Sequence, residues 1–105
     1  TIVRPPIVFG PRDRDALEWY RSVVKGVHIV PSLAVRRYSL VYVDDLVTGL
    51  WLAATRGSRA TSAPEDAATG RGCYYIASAE TPTYAELGSL VAESIERPRV
   101  RVVYV

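Results

Sequence analysis

The side chains that most often carry catalysis or bind metals are rare in this sequence of 105 residues. Its one histidine, His28, lies in the apolar run VHIV, and its one cysteine, Cys73, begins the run CYYIA. We predict that His28 is a half-buried or surface imidazole rather than a catalytic base. Cys73 is predicted to be a small buried apolar residue rather than a reactive thiol. One histidine and one cysteine do not supply the ligands of a zinc site.

Two pairs of adjacent charged residues are the remaining candidates for chemistry. Asp44 and Asp45 follow a predicted strand, where successive side chains diverge, so helix capping is favoured over a general acid–base pair. Arg36 and Arg37 can hold a phosphate or a carboxylate, although a solvated turn is the alternative. The sequence has neither GxGxxG nor GxxxxGK[ST], and no nucleophile–base pair. From these residues alone we expect that the chain carries no complete active site, and we assign no catalytic residue.

The segment Tyr38–Ala54 is predicted to be the centre of the fold. Tyr38–Val43 alternates and is rich in β-branched and aromatic residues, which indicates a strand. Asp44 is predicted to cap a helix that begins at about Asp45. The apolar residues that follow have helical spacing and predict a buried stripe: Leu46, Val47, Leu50, Trp51 and Ala54.

The other elements give the order β-α-β-β-α-loop-β-α-β, which is that of an α/β protein. A helix is predicted over about 13–25, with Asp13 or Asp15 as its cap. Thr83 and Glu86 form a capping-box pattern before a second helix. Residues 58–72 show no periodicity and are predicted to be an exposed, mobile loop. The remaining strands are predicted near 1–3, 27–30, 73–77 and 100–105.

Composition narrows the class of protein. Hydrophobic residues make up 49% of the chain and charged residues 23%, as in a folded globular domain. Thirteen Lys and Arg against eleven Asp and Glu are too even to indicate a nucleic-acid partner. No apolar run approaches membrane-spanning length, and one cysteine fits a reducing cytoplasm. The chain opens without methionine directly on the strand-like TIV, so we expect a piece of a longer protein.

Three stretches resemble one protein family. They are TIVRPPIVFGPRD, RYSLVYVDDLVTGLWLAA and YYIASAETPTYAELGSLVAESI, in that order along the chain. Together they are similar to the C-terminal part of the extended short-chain dehydrogenases/reductases. This is the NAD-dependent epimerase/dehydratase family, with its hydroxysteroid dehydrogenase-like and dihydroflavonol reductase-like members. The resemblance implies a C-terminal fragment of an extended Rossmann-type protein. Residues 1–11 would then be a Rossmann strand and nicotinamide-side loop, and 12–105 part of the small substrate-binding domain.

The resemblance also implies a cofactor, a small-molecule substrate and the residues that meet them. The cofactor would be NAD or NADP, bound mainly by a preceding domain, and Pro5, Pro6, Ile7 and Val8 would lie beside its nicotinamide. Arg12, Arg36 and Tyr38 would face the substrate. The family's Tyr-x-x-x-Lys pair is absent from this sequence, so the fragment by itself is expected to be inactive. Neither a nucleic acid nor a membrane is an expected partner, and a homodimer is allowed.

The substrate and the overall role stay open at this point. Relatives that act on sugar nucleotides often carry asparagine where Ile7 stands, which favours a less polar substrate. Arg36 points the other way, because an arginine at that place meets phosphate in several sugar-nucleotide enzymes. A stand-alone α/β binding or assembly module without catalysis is the alternative. If the chain is isolated, the strand Thr1–Val3 is expected to pair with another chain or to fray.

Overall fold

The structure is a computed structural model that describes residues 1–31, 35–96 and 99–105. These residues form two compact units: unit 1 comprises Thr1–Phe9 and Leu40–Ala79, and unit 2 comprises Gly10–Ser39 and Glu80–Val105. The strands are β1 (Ile2–Arg4), β2 (Ile7–Phe9), β3 (Val27–Val30), β4 (Leu40–Tyr42), β5 (Cys73–Tyr75) and β6 (Arg101–Tyr104). The helices are α1 (Arg14–Val24), α2 (Val43–Arg56), α3 (Pro64–Thr69) and α4 (Tyr84–Ser94).

Unit 1 is built from two parallel strand pairs and the helices α2 and α3. Strand β1 pairs with β5, with Ile2 opposite Cys73, and β2 pairs with β4, with Ile7 opposite Leu40. Parallel strands need a crossover connection, and the chain between the two strands of each pair contains helices: α1 lies between β2 and β4, and α1, α2 and α3 lie between β1 and β5. The prediction of an α/β fold is confirmed. The first strand is not frayed, because β5 of the same chain pairs with one of its edges. Pairing of its other edge with another chain stays a prediction.

The apolar stripe predicted on α2 does not face the interior. Val47 is 58% exposed and Trp51 69% exposed, whereas Ala53 is buried. The reason is the close approach of the helix to Ile76: a Cβ added at Gly49 would lie 2.7 Å from Ile76 Cδ1. The helix therefore packs through its small residues, and most of its large apolar residues are exposed, although Leu46 is partly buried.

The predicted cap of α2 is also wrong. The helix begins at Val43, and its N-cap residue is Tyr42, which makes no side-chain capping hydrogen bond. Asp44 and Asp45 lie in the first helical turn. Their carboxylates still have a favourable interaction with the helix dipole there. The strand ends one residue earlier than the sequence pattern indicates, so both aspartates are drawn into the helix.

The segment 58–72, predicted as a loop without secondary structure, contains α3. Pro64 occupies its first turn, and Gly70, at φ 68°, ends it in the left-handed conformation. Both ends of the segment are held within unit 1. Thr1 Oγ1 donates to the carbonyl of Ser58 at 2.8 Å, and Ile2 N donates to the carbonyl of Gly72 at 2.7 Å. The mobility of this segment stays a prediction.

Unit 2 follows the predicted elements closely. Asp13 caps α1, accepting hydrogen bonds from the amides of Asp15 and Ala16, which settles the choice between Asp13 and Asp15. The capping box of Thr83 and Glu86 starts α4 as predicted. Strands β3 and β6 pair in parallel. The core cluster of the unit consists of Val23, Val91 and Ala92, with Ile95 and Val100 packed against it.

Two predictions from the sequence fall wholly or partly outside the described ranges. They are a turn over 33–37, which begins outside them, and the end of the last helix at Arg97-Pro98. The expected division into a Rossmann part at 1–11 and a substrate-binding part at 12–105 stays a prediction.

Candidate functional site

The loop predicted to lie beside a nicotinamide joins the two strand pairs of unit 1. Pro5 and Pro6 follow β1 directly, and Ile7 and Val8 begin β2. Ile7 is 42% exposed, whereas Val8 is partly buried opposite Val41, which is 1% exposed. Proline restricts the backbone and offers no N–H. The loop is therefore a stiff, largely apolar connection, and the Ile7 side chain is accessible to a ligand.

The three residues predicted to face a substrate all belong to unit 2. Arg12 lies in the tight turn that the hydrogen bond from Asp13 N to the carbonyl of Gly10 closes. Its φ is 67°, and its side chain is exposed. Arg36 is exposed, and neither arginine makes a side-chain hydrogen bond or ion pair with the described residues. Tyr38 is partly buried, and its amide donates to the carbonyl of Pro82 at 2.9 Å. Within the described residues these three side chains make no hydrogen bond, ion pair or ring contact with one another, so their convergence on one ligand stays a prediction.

Tyr38 belongs to an aromatic cluster around Tyr84. The ring of Tyr84 stacks on His28, with centroids 5.3 Å apart and planes 16° apart. Tyr38 and Trp19 meet the same ring edge-on, at centroid distances of 5.9 and 6.1 Å. The sequence did not indicate this cluster, because its members come from four separate segments. It fixes the backbone around Tyr38.

His28 is buried, with 3% of its surface exposed, which corrects the prediction of a half-buried or surface imidazole. Its strand β3 packs against both α1 and α4, and Tyr84 and Gly88 of α4 contact the ring. The Nε2 atom lies 2.8 Å from the carbonyl oxygen of Tyr84. A carbonyl only accepts hydrogen bonds, so Nε2 carries the proton. A Cβ at Gly88 would lie 2.3 Å from His28 Cδ2, so the ring fits only because position 88 has no side chain.

Arg37 is the charged residue that the sequence-based assignment left out. Its Nη1 donates to the carbonyl of Thr81 at 2.8 Å and lies 3.8 Å from Oε2 of Glu86. The backbone N–H of Thr83 donates to Glu86, and this bond, with the charge of Arg37 adding to it, lowers the pKa of the Glu86 carboxyl. The same residues border an open cavity of about 410 Å³. Arg37 is thus engaged by its own unit, whereas Arg36 beside it has no side-chain partner among the described residues.

Other chemistry is limited in the part of the chain that the structure describes. Its His, Cys, Asp and Glu residues form no group of three that could hold a metal ion, and none of its helices is long and apolar enough to cross a membrane. Cys73 is a free, partly buried cysteine at the start of β5 rather than a fully buried one.

Comparison with solved structures places the fold among epimerases. No family model matches the sequence, and no curated protein is similar to it. An epimerase from the methanogen Methanothermobacter thermautotrophicus matches with a TM-score of 0.65 and 20% identity, over 98% of this chain and 30% of that one. UDP-glucose 4-epimerase from Thermotoga maritima, solved with UDP-glucose, matches with a TM-score of 0.68 and 20% identity, over 98% of this chain and 31% of that one. The chain therefore has the fold of part of a Rossmann-type epimerase and spans about 30% of its length.

Proposed function

We propose that the chain is the substrate-binding, C-terminal portion of an NAD(P)-dependent epimerase, dehydratase or reductase. The observation that carries the proposal is the fold match to two epimerases. The match covers 98% of this chain and less than a third of each epimerase chain. The order of the three family-like stretches along the sequence supports the same assignment. The protein would act on a small molecule in the cytoplasm, as a monomer or a homodimer. The chain by itself would be inactive.

The residues present fit one end of the cofactor only. A stiff apolar loop such as Pro5–Val8 suits the nicotinamide end, because it excludes water from a ring that, when bound, supplies hydride transfer. The carbonyl groups of the two prolines can accept hydrogen bonds from a carboxamide. The diphosphate end needs a glycine-rich turn at a helix N-terminus, and the 105 residues contain no such turn. Further chain would have to provide it.

The guanidinium groups of Arg12 and Arg36 would determine which substrate groups this chain can bind. Arg12 and Arg36 are exposed and unpaired within the described residues, so each can bind an anionic or hydroxyl-rich group. Tyr38, held by Tyr84 and Pro82, would orient the substrate through its hydroxyl. Ile7 adds an apolar surface beside the nicotinamide loop. We assign binding and orientation to these residues, and the proton and hydride steps to residues of further chain.

Two measurements test this. Calorimetry of the 105-residue chain with NAD should show no binding in the low micromolar range, and such binding would contradict the assignment. In the full product of the gene, Arg36→Ala should raise KM for the substrate more than it lowers kcat. The control is Arg14→Ala, an exposed arginine in the first turn of α1. A full gene product that lacks both a glycine-rich turn and a Tyr-x-x-x-Lys pair would support a non-catalytic module instead.

A further inference from the structure

A second cavity lies in unit 1, on the face of the β1–β5 pair that carries Arg4 and Tyr75, and none of Pro5–Val8 lines it. It has a volume of about 490 Å³. Alternate residues of the paired strands point to it, and the segment that contains α3 closes its other side. We call it the β1–β5 cavity. Its polar lining consists of Arg4, Thr61, Asp66, Thr69, Arg71 and Tyr75.

Both arginines of this cavity lack an anionic partner among the described residues. Arg4 makes one long contact, from Nη1 to the hydroxyl of Tyr75 at 3.5 Å. The Arg71 side chain makes no hydrogen bond or ion pair with the residues that the structure describes. The one carboxylate in the lining, Asp66, accepts a hydrogen bond from the Thr61 hydroxyl and forms no ion pair with either arginine. Two positive charges against one negative charge give the lining a net positive charge.

The backbone that carries Arg71 is well held. The amide of Arg71 donates to the carbonyl of Asp66 at 3.1 Å, and Cys73 N donates to the carbonyl of Gly70 at 3.0 Å. Gly72, at φ 81°, packs so closely that an added Cβ would lie 2.4 Å from Ala60 N. The tight turn after α3 thus fixes the start of the Arg71 side chain at the rim of the cavity, before any ligand arrives.

From this arrangement we infer that the β1–β5 cavity binds a small molecule through an oxyanion, a phosphate or carboxylate group. Guanidinium groups bind such groups through charge-assisted, often paired hydrogen bonds. Arg4 and Arg71 provide these donors, and the hydroxyl group of Tyr75, which accepts from Arg4, can add a neutral one. The Thr69 hydroxyl already donates to the carbonyl of Glu65 at 3.1 Å. This site is separate from the residues of the proposed function and does not rest on that assignment.

The test is a titration of the ¹⁵N-labelled 105-residue chain, followed by NMR at constant ionic strength. The probes are inorganic phosphate and acetate, with sodium chloride as the blank. We expect saturable shifts of the Gly70, Arg71 and Gly72 amide signals with at least one probe, and the responding probe identifies the group. Arg71→Gln should weaken this binding about tenfold, the usual effect of losing one charge-assisted contact. Arg56→Gln, at the exposed end of α2, should leave it unchanged.

Three results would overturn the inference. The first is the absence of saturation with either probe. The second is a shift of the same size in sodium chloride. The third is equal binding by Arg71→Gln and the unmutated chain. Arg4→Gln provides an independent second variant if Arg71→Gln does not fold, and an amide spectrum with unchanged dispersion shows that each variant is folded.

Discussion

The glycine at position 88 gives the sharpest test of how unit 2 is packed. Gly88→Ala in the interior of α4 should gain about 1 kcal/mol of helix propensity. The new methyl group, however, would lie 2.3 Å from Cδ2 and 2.5 Å from Cγ of His28. His28 is 3% exposed and stacked on Tyr84, so it has little room to move. Overpacking of this kind costs about 1–3 kcal/mol, and loss of the bond from His28 to Tyr84 costs about 1 more. The net expectation is a loss of about 1–3 kcal/mol.

The assay is urea unfolding followed by tryptophan fluorescence. Trp19 contacts Tyr84 and reports on unit 2, so the variants are made in a Trp51→Phe background, which removes the signal of unit 1. The control is the double variant with His28→Ala. Once the imidazole is gone, Gly88→Ala should be neutral or stabilising, which gives a coupling energy between the two positions. A single Gly88→Ala variant that is more stable than its parent would refute the packing argument.

Three further predictions concern caps, charge and exposure. Asp13→Ala should destabilise the protein by about 1 kcal/mol because two amides lose their acceptor, whereas Asp44→Ala should cost less since Asp44 caps nothing; thermal melts compare the two. The lowered pKa of Glu86 means that its ionised form stabilises the fold at neutral pH, and that this contribution is lost as the pH falls through the lowered pKa. Glu86→Gln should therefore reduce the loss of unfolding free energy as the pH is lowered into the acid range. An unchanged pH dependence in that range would contradict this. Trp51→Ser should cost less than about 1 kcal/mol in urea unfolding, because the indole is 69% exposed; a loss above about 2 kcal/mol would show that it is packed.

Local signals predicted most of the secondary structure. Asp13 and the Thr83–Glu86 pair each satisfy amides within three residues, so their role can be read from the adjacent sequence. Strands β3 and β5 were likewise predicted from their β-branched and aromatic runs. Helix α3 was missed because six residues are too few to show periodicity, although Pro64 at its start and Gly70 after its end were the signal that could have found it.

The candidate sites were predicted less completely than the elements. Arg36 could be named from the sequence, but which of two adjacent arginines is free depends on Thr81 and Glu86, more than forty positions further along the chain. The β1–β5 cavity was not predicted at all, because the parallel pairing of β1 with β5 joins residues from opposite ends of unit 1. The proline loop was the one site element that its own residues defined.

By itself, the sequence determined the α/β class, the capping box of α4 and the stiffness of Pro5–Pro6, because each depends on backbone preferences within a few residues. Only the tertiary structure decided which side of α2 is covered. Amphipathic spacing shows that a helix has two faces. The face of α2 that is covered is the one with Gly49, because only a residue without a side chain allows the close approach to Ile76. The tertiary structure also decided the burial of His28, since the space for its ring comes from a glycine on another helix. Packing distances between distant segments are set by the whole fold, and local propensity does not contain them.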